Sequence, residues 1–260
     1  MRSSARLLIA VLLVAGCAST PEDDPLVWSD ELVRTLPREN GQLVEVARFS
    51  HAPLGEVRAP WEPWMIVRGN TPTAYRVVPM DGGTAVEAES AAGGSGIWRK
   101  IRIDLRRHPI LEWRWRVPPS VDTPFAANSR ESPPVRLSLA FHGDTSKLDF
   151  DDRAKLRLAK VLTVNGLPYA SMLYVWLNGV PAESVVHSPH TDRVRMVVVQ
   201  SGAQRLGEWV TLRRNVFEDY RKAFGEEPDD VVAIGLMTDY GDDGSRRRAF
   251  YGDITFRSSE

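Results

Sequence analysis

The sequence predicts a mostly β protein, a jelly-roll-like antiparallel β-sandwich with two short helices. Three observations carry that expectation. Apolar residues recur with period two over many short runs, clusters of Gly, Pro, Asn and Asp separate the runs, and only two stretches switch to a helical period. The chain has 260 residues, 43% apolar and 26% charged, which is enough for a sizeable core and unlike a disordered chain. Its formal net charge of -1 argues against a nucleic-acid partner, because neutralising phosphates needs a basic excess.

The first twenty residues read as an address. Arg2 and Arg6 precede an apolar run, Leu7 to Ala15. The run is far shorter than the ~20 residues of a membrane-spanning helix and suits a secretory signal peptide. It closes in Val14-Ala15-Gly16-Cys17, which resembles a bacterial lipobox. Cys17 is the only cysteine, so it has no internal disulfide partner, and a thiol at the cleavage point suits lipidation. Residues 1–16 are therefore read as a lipoprotein signal peptide. Residues 17–40 are read as the lipidated Cys17 and a tether, with a marginal element near Trp28 to Leu36. Ala18, rather than Asp, follows the cysteine and points to the periplasmic face of the outer membrane. The membrane would then be a partner through the lipid.

Residues 41–257 are read as a single β-sandwich domain. In Ile110 to Val117, Leu111, Trp113, Trp115 and Val117 share one face, while Glu112, Arg114 and Arg116 share the other. Val135, Leu137, Leu139 and Phe141 alternate in the same way. Further strands are expected over 43–49, 64–68, 75–80, 84–90, 97–105, 171–178, 193–200, 208–213, 231–238 and 249–256. The unbroken apolar runs Val197 to Val199 and Val231 to Met237 point to central strands. Asp152 to Leu162 predicts a helix with a stripe of Ala154, Leu158, Val161 and Leu162. Asn215 to Phe224 predicts a second, with Asn215 as cap, Glu218 three residues later and Gly225 as the stop.

A set of short motifs matches a known family. They are Trp113-Arg114-Trp115-Arg116-Val117, Leu167-Pro168-Tyr169-Ala170, Tyr174-Val175-Trp176, Arg195-Met196-Val197-Val198-Val199, Asp219-Tyr220-Arg221-Lys222-Ala223-Phe224-Gly225, Ile234-Gly235-Leu236-Met237-Thr238-Asp239 and Tyr251-Gly252-Asp253-Ile254. With these the chain resembles a bacterial family known as a domain of unknown function, DUF3047. The resemblance implies a β-sandwich similar to carbohydrate-binding modules and implies no activity.

Candidate site residues follow from side-chain chemistry. Arg114 and Arg116, with Glu112, could line a sheet face, where forked guanidinium groups suit carboxylates or sugar hydroxyls. Against that stands the ordinary charged outer side of an antiparallel strand. Trp98 lies on the opposite phase from Ile97, Ile101 and Ile103, and Trp176 sits among Tyr174, Asn178 and Ser171. Exposed indoles stack on the apolar faces of sugars. Asp239, Asp242 and Asp253 form the candidate site for a structural calcium, which needs six to eight oxygens. No catalytic motif is present. The leading expectation is glycan or other envelope-component binding without catalysis. The alternatives are docking of an envelope protein, or a glycoside hydrolase or polysaccharide lyase using paired carboxylates.

Overall fold

The computed structural model describes residues 28–38, 41–65, 71–80, 82–91, 93–119, 133–162, 166–239 and 246–259. Among them, the strands in chain order are β1 (Leu43–Ala47), β2 (Gly55–Glu56), β3 (Glu62–Trp64), β4 (Ala74–Met80), β5 (Gly83–Ser90), β6 (Gly94–Ile103) and β7 (Ile110–Arg116). There follow β8 (Arg136–Phe141), β9 (Ala170–Leu177), β10 (Val185–His187), β11 (Val194–Ser201), β12 (Val210–Asn215), β13 (Val231–Asp239) and β14 (Arg247–Arg257). They form two seven-stranded sheets. The first has the order β12-β7-β14-β5-β4-β2, with β1 paired to the C-terminal half of β14. The second has the order β10-β11-β9-β8-β13-β6-β3.

The fold is the expected sandwich, with one difference. β9 and β11 pair in parallel, so the sheets are not wholly antiparallel. The period-two strands bury the residues their patterns mark. Leu111, Trp113 and Trp115 of β7 are buried, while Glu112, Arg114 and Arg116 are half-buried on the outer side. Trp113 stacks across the sandwich on Tyr174 of β9 at 4.9 Å between ring centroids. β13 is buried on both faces from Val231 to Thr238 because β8 and β6 flank it and other residues cover it. The expected strand over 64–68 is shifted. β3 ends at Trp64, and residues 66–68 lie outside the described residues.

Among the described residues, three α-helices decorate the sheets: α1 (Asp30–Thr35), α2 (Phe150–Leu162) and α3 (Val216–Phe224). α3 has the predicted cap, with the side chain of Asn215 accepting from the Glu218 amide, and Gly225 ends it. α2 is rotated from its predicted face. Asp152, Leu156 and Ala159 are buried, whereas Leu158 is 56% exposed. The apolar stripe failed as a guide because a carboxylate, Asp152, occupies the covered side beside the Arg193 charge. α1 falls where the marginal element was expected, but it is part of the packed body. Val33 is buried, and the amide of Arg102 donates to Pro37 O at 2.8 Å. Packing therefore begins well before residue 41.

On the outer face of the second sheet, Val175, Leu177, Val180 and Val198 form a small separate core, with Leu173, Val186 and Met196 packed against it. That covers the β9–β11 side of the face. The β8, β13 and β6 side is where the groove lies.

Candidate functional site

The groove is floored by short side chains. The register places Ser138 of β8 opposite Gly235 of β13, and Gly235 opposite Trp98 of β6. One step along, Ser171, Ala140 and Ala233 are aligned across β9, β8 and β13. Alternation on a strand puts each of these on the outer face, since Leu139, Ile234 and Ile97 between them enter the core. Small residues at adjoining positions leave a trough where larger ones would fill it.

Tryptophans make the wall. The indole of Trp64 lies flat over the strands because Gly96 and Gly235 stand beneath it. A Cβ on either would come within 2.8 Å of its ring. Trp64 stacks on Trp98 with centroids 5.6 Å apart and planes 3° apart. Trp28 meets the same Trp98 ring edge-on at 5.3 Å. Lys100 Nζ sits 5.1 Å above the Trp98 centroid and pairs with Glu62 at 3.4 Å. Met65, Gly166, Leu167 and Pro168 complete the lining, and the pocket encloses about 530 Å³, open solvent at its mouth included.

Among the described residues, Trp28 Nε1, Trp98 Nε1 and Ser138 Oγ are buried without a hydrogen-bond partner, as are Nε1 of the core indoles Trp113 and Trp115. Two indole donors and a hydroxyl are thus gathered at one apolar trough, in a protein interior where polar groups are ordinarily satisfied. Among the described residues, the lining contains no carboxylate.

The structure separates the residues that the sequence grouped. Trp98 lies in the second sheet, whereas Glu112, Arg114 and Arg116 lie on the outer side of the first. Glu112 is held by Arg213 at 3.2 Å and Arg257 at 2.8 Å. Trp176 is a core residue, 0% exposed, with Nε1 donating to Gly202 O at 2.8 Å, and presents no face to a ligand. Trp28 and Trp64 escaped sequence reasoning. Trp28 opens the marginal element expected near Trp28 to Leu36, and Trp64 sits on a three-residue strand too short to show alternation.

The calcium candidates are also dispersed. Asp239 on β13 is paired with Arg136, and Asp253 on β14 accepts from the amide and hydroxyl of Ser50 at 2.7 and 2.6 Å. Asp242 and Cys17 lie outside the described residues. Among the described residues, no three His, Cys, Asp or Glu side chains are grouped to hold a metal ion.

Two ion networks lie away from the groove. Arg214 bridges Asp219 and Glu183, and the Tyr174 hydroxyl donates to Asp219 at 2.7 Å. Burial, then the Asp219 charge, holds the Tyr174 hydroxyl well above its ordinary value, so it remains a donor. Arg193 pairs with Glu226 at 2.6 Å, and the Tyr220 hydroxyl donates to the same carboxylate at 2.9 Å. Asp152 has its carboxyl raised by burial and then by the Asp149 charge, but it stands at the start of α2 and not in the groove.

The fold and groove define a two-sheet sandwich with an aromatic trough on one outer face. The chain belongs to the family described as "Protein of unknown function (DUF3047)", whose model matches residues 59–255. Trp64 and Trp98 fall inside that span and Trp28 outside it. No curated protein matches the chain. Among solved structures, the chain is similar to the glycoside hydrolase domain of Endo-D from Streptococcus pneumoniae R6, at 8% identity and a TM-score of 0.34. That match covers 77% of this chain and spans only 22% of the other. It is also similar to the family 30 carbohydrate-binding module of the cellulosomal cellulase Cel9D-Cel44B of Clostridium thermocellum, at 10% identity and a TM-score of 0.38, covering 84% of this chain and 98% of that one. A third is the xyloglucanase domain of NopAA from Sinorhizobium fredii, solved in complex with cellobiose, at 10% identity and a TM-score of 0.41, covering 81% and 100%.

Proposed function

We propose that this protein is a lipid-anchored envelope module that binds a saccharide ring in the Trp28–Trp64–Trp98 groove without catalysis. The observation that carries the reading is the convergence of three indoles on a trough of Ser, Ala and Gly. Sugars offer what that surface lacks, an apolar face for the rings and hydroxyls for the indole donors. Anchoring through Cys17 at the outer membrane supplies the setting in which envelope glycans are the nearest ligands.

Docking of another envelope protein is a second reading, favoured by one observation. On α2, Phe150 is 76% exposed and Leu158 56% exposed, two turns apart on one side. Saccharide titration decides between the two. The full chain in detergent micelles, screened on a glycan array and followed by tryptophan fluorescence, should bind a saccharide, and Trp98→Ala should weaken binding at least about tenfold with unchanged circular dichroism. A flat array, or a hit that Trp98→Ala leaves intact, removes the groove reading. For the anchor, Cys17→Ser should move the protein from the membrane fraction to the soluble one.

A further inference from the structure

The outer face of the first sheet carries two guanidinium groups that the ion pairs leave over. Arg114 and Arg116 are two positions apart on β7, on the same side, about 7 Å apart along the strand. The carboxylates around them are committed elsewhere. Glu112 takes Arg213 and Arg257, Glu87 takes Arg248, and Glu89 takes Arg246. Among the described residues, neither Arg114 nor Arg116 reaches a carboxylate. Among the described residues, the polar neighbour of Arg116 is the Met80 thioether, with Nη1 and Sδ 3.9 Å apart, and its buried Nε has no acceptor.

Both side chains are held in place. Arg114 lies across β14 at Gly252, where a Cβ would come within 2.5 Å of its Cγ and Nε. From the other side the Trp209 ring covers its guanidinium, 4.7 Å from centroid to Cζ. Arg116 stands opposite Phe250 in the register. Half-buried cations without a counterion carry a desolvation cost that the Trp209 ring offsets only in part for Arg114, while their forks stay oriented for an incoming acceptor.

We propose that Arg114 and Arg116 form an oxyanion site that takes a carboxylate or phosphate group through paired guanidinium hydrogen bonds. The site is on the opposite face of the sandwich from the tryptophan groove and is independent of it. The two sources of such a group, an acidic sugar and a phosphorylated one, share this chemistry.

Calorimetric titration of the full chain in detergent micelles tests the proposal, using glucuronate and inorganic phosphate as probes and glucose as control. Binding of either probe is expected. Glucuronate alone identifies a carboxylate site, phosphate alone a phosphate site, and both a general oxyanion site. Arg114→Met and Arg116→Met should each weaken binding at least about tenfold, because a charge-assisted bidentate contact is lost. Arg213→Met, which removes a cation already paired with Glu112, should leave it unchanged. If either methionine variant loses its circular dichroism, Arg114→Lys and Arg116→Lys decide, since they keep the charge and lose the fork, and weaker binding is again expected. Trp98→Ala should leave both titrations unchanged, which separates this site from the groove. No binding of either probe at millimolar concentration, or binding equal in wild type and folded arginine variants, overturns the proposal.

Discussion

A methyl group on Gly235 would lie 2.8 Å from Cζ3 of Trp64 and 3.0 Å from its Cε3. Gly235→Ala therefore forces the indole off the sheet. The expected cost is about 1–3 kcal/mol, the usual range for overpacking, read by urea denaturation. The groove should lose its ligand at the same time, because Trp64 no longer stacks on Trp98. Unchanged stability and unchanged binding would show that the ring moves without consequence. Arg214 offers the contrasting case. Arg214→Leu leaves Asp219 buried beneath Tyr174 with no cation, so stability should fall by about 3–5 kcal/mol. A loss under about 1 kcal/mol would mean that solvent already screens the pair. At this scale much was legible. The phase of Ile97 and Ile101 turns Trp98 to the outer face, where it lies, but Trp64 and Trp28 cover it and leave it only 6% exposed. Trp176 was misread because β9 enters the core through Met172, Tyr174 and Trp176, and mixed polar neighbours hid that phase.

The elements explain what single residues could not. α1 begins at Asp30, two residues after Trp28, so whatever docks α1 also places one wall of the groove. His142 does this from both ring nitrogens, with Nε2 2.8 Å from Asp30 Oδ1 and Nδ1 3.0 Å from Asp229 Oδ2. Burial opposes the charged imidazole, but hydrogen bonds to Asp30 and then Asp229, with their charges, outweigh it and raise its pKa above the ordinary 6.5. For Asp229, burial opposes ionisation and the hydrogen bond from His142 outweighs it, lowering the carboxyl below 3.8. The signs give a window. A histidine raised on folding contributes fully below 6.5 and loses that contribution as pH rises through the folded value. A carboxyl lowered on folding contributes above 3.8 and loses it as pH falls through the folded value. The clamp is strongest between those two ordinary values. Because Asp30 is mostly exposed, its contribution belongs in the surface range, about 0.2–1 kcal/mol. Hydrogen exchange of residues 30–35 should accelerate as pH rises past neutrality once the intrinsic rate is divided out, and His142→Gln should abolish that extra dependence. Equal protection at pH 5.5 and 8.5 would refute the clamp. Charged neighbours on the adjoining strands, Arg102 and Asp230, pair with each other and do not compete for the ring.

At the scale of the whole molecule, the period-two pattern revealed a sandwich and the face each residue takes on its own strand. It could not reveal which sheet a strand joins. Arg114 and Trp98 each point outward as expected, yet β7 and β6 belong to different sheets, so residues read as one site stand back to back across a core of two packed layers. Strand partition depends on long-range pairing, such as β7 with β14, which no local pattern encodes. The same limit governs the boundary of the domain. Composition marks residues 17–40 as a tether with a marginal element, but Trp28 packs on Trp98 of β6, and Arg38 forms an isolated backbone β-bridge with Arg102. Deleting residues 1–40 separates the two roles. Both sheets remain intact in sequence, because β1 begins at Leu43. The shortened chain should therefore keep its cooperative thermal transition. It should lose the edge-on contact of Trp28 with Trp98, worth about 0.5–1.5 kcal/mol, and so bind the groove's saccharide roughly 2- to 13-fold more weakly. Full affinity in the shortened chain would remove Trp28 from the site and return the segment to the role of a tether. Loss of the transition itself would make α1, through Val33 and the Pro37–Arg102 hydrogen bond, part of the folding unit.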